Sequence, residues 1–241
     1  MRTQVSVSRD LRLKDTSPLR RYMDLPKFID LLRSRSLYLR RADGFSDRFE
    51  GALTPSTRAA IDSDRDSGRP TETADDFYER CRKGTYISCW TLGKKDNMAL
   101  WQLFGGSENS VAITTTAGRL SRMCLGWDEN SVIEKVNYIN HFKDPDIVVG
   151  RHIDPLRFKH EAFVFEREVR LMLPMQTSWR YNPDGLRRPI RDINDLVTGV
   201  VVAPDAGAWF LELVQDLSNR YELEAPVTMS QLATLPASAR G

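Results

Sequence analysis

The sequence predicts an α/β protein of the α+β type, with a mixed, largely antiparallel sheet and several helices. Segments rich in β-branched and aromatic residues outnumber amphipathic helical segments, and hairpin-like spacings dominate the middle of the chain. The hydrophobic fraction is 41% and the charged fraction 28%, which is ordinary for a globular protein and unlike the composition of a disordered chain.

At 241 residues the chain is long enough for one large domain, and we predict a single domain over residues 19–232. The polar segment 1–18 and the tail 233–241 are expected to be flexible. Charged residues, Ser, Gly and Pro with few apolar residues predict an exposed polar loop near 56–73.

Helices are predicted from amphipathic spacing and capping residues. Asp24 is the expected N-cap of the first helix, with Pro26 in its first turn. Three further helices are predicted over 74–82, 97–104 and 206–220. Their apolar residues are expected to face the core, including Met98, Leu100 or Phe104, Trp101, Trp209, Phe210 and Val214.

Strands are predicted where β-branched and aromatic residues cluster between turn signals. The predicted segments are 37–40, 85–90, 110–115, 132–138, 147–149 and 197–202.

The charge of the chain is unevenly placed. Residues 1–50 carry twelve Lys or Arg against seven Asp or Glu. This local excess suits the phosphate groups of a substrate or cofactor, although a solvated basic face has the same composition. The net charge of the whole chain is only +2, which argues against binding nucleic acid through bulk electrostatics.

The three cysteines, Cys81, Cys89 and Cys124, stand in no pattern with metal-ligand spacing, so neither a disulfide framework nor a zinc site is indicated. The N-terminus has no apolar signal segment, and no stretch approaches the roughly 18 apolar residues needed to cross a bilayer. We therefore predict a cytoplasmic protein without a membrane partner.

The first of two ionic segments runs from Arg40 to Glu50. Asp47 and Glu50 are three residues apart, so a tight turn presents both carboxylates to one side. Such a pair can bind a cation, orient an arginine or serve in acid–base chemistry. A surface turn in which Arg48 pairs locally explains the same residues without a function.

The second ionic segment runs from Glu166 to Arg170. In a strand, alternation puts Glu166, Glu168 and Arg170 on one face. An exposed row of this kind is an edge-strand charge ladder that prevents aggregation. A row that lines a cleft lets Arg170 keep one carboxylate ionised while the second approaches a substrate. We expect the two ionic segments to meet in one cleft.

Trp90 and Trp101 are the main aromatic feature. The core is the usual position for such residues, and a place in the cleft is the alternative. Cys89 has no sequence neighbour that lowers a thiol pKa, which indicates inert packing. The three histidines form no metal-binding or triad pattern, so no metal is favoured.

Several short motifs, in their order and spacing, resemble the bacterial domain-of-unknown-function family 2971. They are Arg21-Tyr22, Leu37 to Asp43, Ser46 to Gly51, Ile87 to Trp90, Met98 to Trp101 and Phe165 to Arg170. The likeness covers most of the chain, from about Leu19 to Leu232. Two positions depart from the family pattern: Arg48 replaces a proline, and Phe104 stands where a tyrosine is common.

The order of Arg, Ser and Glu-x-Glu also resembles the pattern of ADP-ribosyltransferases, which use NAD as a substrate. The resemblance implies a protein or nucleic-acid acceptor and a role as a toxin or phage-defence effector. It makes Glu168 the residue that stabilises an oxocarbenium-like ribose, while Glu166 orients or deprotonates the acceptor. Ser88 would brace Glu168, and Arg21 would pair with a phosphate.

The remaining site residues follow from the same resemblance. Tyr22 and Arg41 are expected to help bind the nucleotide. The residues expected to support the cleft are Asp47, Glu50, Trp90, Trp101 and Arg170.

Two other functions fit the same residues. A Mg²⁺-dependent nuclease or phosphoesterase would gather the carboxylates of both ionic segments around the metal, namely Asp47, Glu50, Glu166 and Glu168. A non-catalytic interaction module would use the basic N-terminal face to dock an acidic partner or nucleic acid.

Overall fold

The computed structural model describes residues 5–7, 13–66, 72–145, 147, 149–175 and 182–235. The strands in these ranges are β1 (Val5–Val7), β2 (Pro18–Asp24), β3 (Ser36–Arg41), β4 (Thr85–Leu92), β5 (Ser110–Thr116), β6 (Ser131–Lys135), β7 (Asn137–Ile139), β8 (Phe158–His160), β9 (Glu168–Pro174), β10 (Gly185–Pro189), β11 (Gly199–Val202) and β12 (Val227–Met229). The α-helices are α1 (Leu25–Ser34), α2 (Pro55–Asp66), α3 (Ala74–Lys83), α4 (Met98–Phe104), α5 (Ala117–Cys124), α6 (Ile193–Leu196) and α7 (Ala208–Arg220). Short 3-10 helices lie at Ala42–Gly44, His141–Lys143, Asp154–Arg157, Glu161–Glu166 and Gln231–Ala233.

Both parallel and antiparallel pairings occur among the strands. The pairs β2–β4, β2–β5, β3–β4, β5–β11 and β6–β9 are antiparallel. The pairs β1–β6, β7–β8 and β11–β12 are parallel. The predicted α+β class with a mixed, largely antiparallel sheet is confirmed.

The chain divides into two compact units. Unit 1 comprises Met1–Leu13, Tyr38–Cys89 and Cys124–Arg188. Unit 2 comprises Lys14–Leu37, Trp90–Met123 and Pro189–Gly241. The single domain predicted over 19–232 stays a prediction.

In unit 1, β9 lies between β6 and β4. Its residue Arg170 pairs with Glu134 of β6, so the second ionic segment enters the interior of the sheet. One face of these strands packs in a core that contains Ala42, Ile87, Val132, Ile153, Leu156 and Met172.

In unit 2, β5 lies between β2 and β11, and β12 continues the order beyond β11. The register of β2 on β5 runs from Pro18 opposite Thr116 to Asp24 opposite Ser110. A core cluster of this unit contains Tyr22, Leu100, Trp101, Ala112 and Ala203.

Helix α1 begins as the sequence predicts. The Asp24 side chain accepts a hydrogen bond from the backbone N–H of Lys27, and Pro26 occupies the first turn, where its missing N–H costs nothing. The helix ends at Arg35, which adopts the left-handed conformation.

The exposed polar loop predicted near 56–73 is wrong over residues 56–66, which belong to α2, whereas residues 72–73 lie outside any helix or strand. The Thr54 hydroxyl accepts a 3.4 Å hydrogen bond from the N–H of Thr57 at the start of this helix. Asp62 then accepts a bond from the N–H of Ala74 at the start of α3. A polar helix with these contacts lacks the apolar stripe by which sequence analysis finds helices.

Met98 and Trp209, which were expected in the core, are exposed instead, and of the alternatives Leu100 and Phe104 only Leu100 is buried. Met98 and Phe104 are each 42% exposed at the two ends of α4, and Trp209 is 61% exposed on α7. Leu100 and Trp101 of α4 are buried as predicted, because its single short stripe covers only the middle of the helix.

The ends of the predicted domain lie partly outside the described residues. Val5–Val7 of the segment expected to be flexible pairs with β6 as β1. Of the tail predicted from 233, only 233–235 are described. The strand predicted over 147–149 is not formed at Ile147 or Val149, and Val148 lies outside the described residues. Within the described ranges, no helix combines the length and apolar composition that crossing a membrane requires.

Candidate active site

The second ionic segment is divided between two elements. Glu166 ends a 3-10 helix, and Arg167 takes the left-handed conformation at φ 46° before β9 begins at Glu168. Alternation therefore applies to Glu168 and Arg170 but not to Glu166, which corrects the prediction of one continuous strand. A residue in the left-handed conformation reverses the chain direction sharply. Here the carboxylates of Glu166 and Glu168, on either side of Arg167, both contact Lys159.

Arg170 joins the two ionic segments. Its Nη1 and Nη2 donate to the two carboxylate oxygens of Glu50, the latter at 2.9 Å. Its Nε and Nη2 donate to Glu168 at 2.9 and 3.1 Å, and Nη1 also reaches the Leu156 carbonyl at 2.6 Å. The prediction that the segments meet is confirmed at Glu50 and Arg170, through the forked geometry that guanidinium groups form with carboxylates.

Lys159 of β8 links the two glutamates of the Glu-x-Glu sequence. Its Nζ donates to Glu166 Oε2 at 2.5 Å and to Glu168 Oε2 at 3.2 Å. We call Glu50, Lys159, Glu166, Glu168 and Arg170 the buried ion cluster.

Every member of the buried ion cluster is at most 7% exposed. This burial excludes the exposed charge ladder considered for the second segment. Charges in such a setting are costly unless they are paired and hydrogen-bonded. The cluster meets that condition, since each carboxylate has at least one cationic donor.

The cluster contains three carboxylates and two cations, so the pKa values of its carboxyl groups differ. Burial raises the pKa of Glu50 and that of Glu166. Burial also acts to raise the pKa of Glu168, but the charges of Arg170 and Lys159 prevail and lower it to about 2. Glu168 is therefore the ionised carboxylate, while Glu50 and Glu166 can hold a proton more readily than an exposed glutamate.

Two further groups position Glu168. The Cys89 thiol interacts with its carboxylate and helps to lower the pKa of Glu168, after the larger effects of Arg170 and Lys159. The backbone N–H of Glu168 donates to the Tyr138 hydroxyl at 2.8 Å. Tyr138 and Lys159 were not predicted for the site, and Cys89 was predicted only to pack inertly, because no local spacing connects these residues to Glu168.

Ser88 does not take the bracing position that the resemblance implied. Cys89 and Ile87 lie on the face of β4 that packs with Met172, the face that also bears Glu168. Since alternate residues of a strand face opposite sides, Ser88 points to the other side, where it is fully buried.

Other residues predicted for the site in unit 1 lie outside the buried ion cluster. Asp47 Oδ1 accepts a hydrogen bond from the N–H of Phe49. Arg41 pairs with Asp43 and Asp184, and its hydrogen bond to Asp43 raises its pKa. A role of Arg41 in nucleotide binding stays a prediction.

Four predicted site residues lie in unit 2. The Arg21 guanidinium is 5.9 Å from the centre of the Trp90 ring, and Tyr22 meets Trp101 edge-on at 4.8 Å. Both tryptophans are buried, as the usual core position predicts. Phosphate binding by Arg21 and nucleotide binding by Tyr22 stay predictions.

The carboxylates do not have the arrangement of a magnesium site. Glu50, Glu166 and Glu168 direct their oxygens at Arg170 and Lys159, whose charges take the place that a divalent ion would occupy. Among the described residues, no group of three or more His, Cys, Asp or Glu side chains is arranged to hold a metal.

The chain was compared with known proteins. No protein-family model and no curated protein matches it, so the resemblance to family 2971 stays a prediction. Similar solved structures include DarT of Thermus sp. 2.9 in complex with carba-NAD+ (8% identity, 91% of this chain, 97% of that chain, TM-score 0.41). The same protein in complex with ADP-ribosylated ssDNA is also similar (10% identity, 91% of this chain, 96% of that chain, TM-score 0.43). So is its complex with NAD+ (8% identity, 92% of this chain, 100% of that chain, TM-score 0.44). Because the identities and TM-scores are this low, the activity of the chain has to follow from its own site.

Proposed function

We propose that the protein is an NAD-utilising, ADP-ribosyltransferase-like enzyme with Glu168 and Glu166 at the reacting centre. One observation carries the proposal: Lys159 holds two carboxyl groups whose pKa values are shifted in opposite directions. Pairs of titratable groups with diverging pKa values are the usual arrangement for dividing acid–base and electrostatic roles. The order of Arg21 and the Glu-x-Glu segment along the sequence supports the same reaction class.

Glu168 has the properties that the ribose-side carboxylate needs. When the bond between ribose C1′ and the nicotinamide nitrogen breaks, the electron pair leaves with neutral nicotinamide and positive charge develops on the ribose. A preorganised anion stabilises such a charge. With a pKa lowered to about 2, Glu168 is ionised at neutral pH and needs no proton loss beforehand.

Glu166 is suited to deprotonate the acceptor. Burial raises its pKa, which brings the group closer to the pH at which a general base works best. It would take the proton from the acceptor nucleophile as that atom bonds to ribose C1′. The Nζ of Lys159 lies 2.5 Å from Glu166 Oε2 and holds this carboxylate oxygen in place.

Glu50 and Arg170 act as positioning residues. Arg170 contacts Glu168 with two of its nitrogens, and Glu50 holds the guanidinium from the other side. Replacement of Glu50 should therefore change turnover through the orientation of Glu168.

The test is NAD+ turnover by the purified chain. Nicotinamide release and labelling of a lysate with radiolabelled NAD+ are measured for the wild type and for Glu168→Gln. The wild type should release nicotinamide, and the variant should lose at least about a hundredfold, as electrostatic stabilisers typically do. Glu161→Gln is the matched control, since Glu161 is exposed and bonds only Asn140 among the described contacts.

A wild-type protein that neither consumes NAD+ nor labels any component of the lysate refutes the proposal. Equal activity of wild type and Glu168→Gln refutes the assignment of Glu168. The toxin or defence role implied by the resemblance stays a prediction.

A further inference from the structure

Unit 1 contains an aromatic cluster made of Phe49, His141, Phe142 and His160. The centre of the Phe49 ring lies 4.9 Å from that of His160, 5.4 Å from that of His141 and 5.6 Å from that of Phe142. The planes of the two histidines differ by 12°, with centres 5.9 Å apart. Four rings thus meet in one place.

The aromatic cluster adjoins the buried ion cluster along two chain segments. Phe49 directly precedes Glu50, and His160 directly follows Lys159. The same two chain segments therefore carry residues of both clusters.

Phe142 gives the aromatic cluster an open side. Its ring is 78% exposed although it contacts Phe49 and His160 edge-on, at 77° and 70°. Most of the Phe142 side chain is therefore open to a ligand. An exposed aromatic face is the standard platform on which flat rings stack.

Buried polar atoms in the same place lack partners. His141 is only 6% exposed, yet neither Nδ1 nor Nε2 has a hydrogen-bond partner within the described ranges. The buried atoms His160 Nε2 and Asp47 Oδ2 likewise have no hydrogen-bond partner among the described residues. A buried polar atom is unfavourable when nothing satisfies it, so the occurrence of several such atoms around an open aromatic ring indicates a ligand with a polar edge.

The charges around the rings select the kind of ligand. The neighbouring buried ion cluster has one carboxylate more than it has cations, and both cations are already bonded to glutamates. Asp47 adds a further carboxylate. Two exposed cations, Arg48 and Lys143, are sequence neighbours of the rings, so the Asp47 carboxylate and the aromatic faces, not the net charge, favour a neutral or cationic ring.

We propose that the aromatic cluster binds a neutral or cationic nitrogen heteroaromatic ring, which stacks on Phe142 and hydrogen-bonds to His141 and Asp47. Nicotinamide and nucleobases share this chemistry, since each is flat and carries an edge of amide or ring-nitrogen groups. The inference rests on the proposed function for the reaction that the bound ring would serve, whereas binding of the ring itself requires no turnover.

The experiment is calorimetric titration of the full chain with four probes: nicotinamide, 1-methylnicotinamide, adenosine and thymidine. At least one probe should bind the wild type, and Phe142→Ala should weaken that binding by at least about fivefold, the loss expected for one stacking ring. Leu125→Ala is the matched control, because Leu125 is another exposed apolar residue of unit 1. His141→Phe keeps the ring and removes its nitrogens, so it should also weaken binding in a protein whose circular dichroism is unchanged.

The outcomes separate the ligand sources and the two proposals. Binding of the nicotinamide probes alone supports a dinucleotide ring, and binding of the nucleosides alone supports a base of a nucleic acid. Absence of binding by all four probes overturns the inference, as does full affinity in Phe142→Ala. Ring binding by a wild-type protein that shows no NAD+ turnover refutes the proposed function alone.

Discussion

Arg170 and Glu50 are 120 positions apart in the sequence, and Arg170 Nη2 donates to Glu50 Oε2 at 2.9 Å in the interior of unit 1. The same guanidinium holds Glu168 on its other side. This contact makes the first ionic segment part of the site and gives Arg170 two carboxylates to neutralise.

Removal of Arg170 should destabilise the fold strongly. In Arg170→Met, Glu50 and Glu168 remain buried without their guanidinium, and breaking a buried pair in this way costs about 3–5 kcal/mol. Urea unfolding followed by circular dichroism measures the free energy of unfolding. Arg188→Met is the control, because the Arg188–Glu129 pair is partly exposed and should contribute less than about 1 kcal/mol. Equal losses in the two variants would contradict the burial argument.

Acid should destabilise the protein through Glu168. Its folded-state pKa of about 2 lies below the ordinary 4.5, so the unfolded chain takes up the proton first as the pH falls. The stabilisation from Glu168 is therefore complete above about pH 4.5 and disappears as the pH approaches 2. Unfolding measured at several pH values in this window should show a smaller loss for Glu168→Gln than for the wild type. An identical pH dependence would show that Glu168 has no lowered pKa.

Glu50 and Glu166 should act in the opposite direction. Burial raises their pKa values, so the folded state holds their protons longer and ionisation on the alkaline side of the ordinary value reduces stability. Glu166→Gln should therefore lose less stability than the wild type as the pH rises above about 4.5. The measurement is a urea titration at each pH, with Glu161→Gln as the exposed control on the same 3-10 helix. A parallel decline in Glu166→Gln and the wild type would contradict the raised pKa.

Arg167 should tolerate glycine better than a β-branched residue. Its φ of 46° lies in the left-handed region, which costs non-glycine residues about 1–2 kcal/mol. Arg167→Gly should keep or raise the melting temperature, whereas Arg167→Val should lower it. Because this turn aims Glu166 and Glu168 at Lys159, Arg167→Val should also reduce any turnover. A higher melting temperature for Arg167→Val than for Arg167→Gly would contradict the strain.

The thiols of the folded chain should resist alkylation. Burial raises the pKa of Cys81 and of Cys124 to about 12, and it raises that of Cys89 well above its usual value. Since the thiolate is the reactive form, iodoacetamide at pH 8 should label none of the three in the native protein and all three in urea. Mass spectrometry counts the adducts. Rapid native labelling of Cys89 would show that it is not held against Glu168.

The sequence alone determined the elements whose signals are local. Asp24 and Pro26 mark the start of α1 because capping involves residues three positions apart, and the apolar strands follow from composition within a few residues. It also identified the residues of the two ionic segments, since charges next to strongly apolar strands are conspicuous. The sequence wrongly predicted a loop over most of α2, because this helix is stabilised by polar contacts and lacks periodic apolar residues.

Tertiary structure alone decided which charges share one site. Lys159 reaches Glu168, and Cys89 faces it while Ser88 does not, because strand order and register set those distances. Such contacts depend on how separate segments pair, and no spacing along the chain records that pairing. The direction of each pKa shift was settled in the same way, since burial and the placement of Arg170 arise only when the chain is folded.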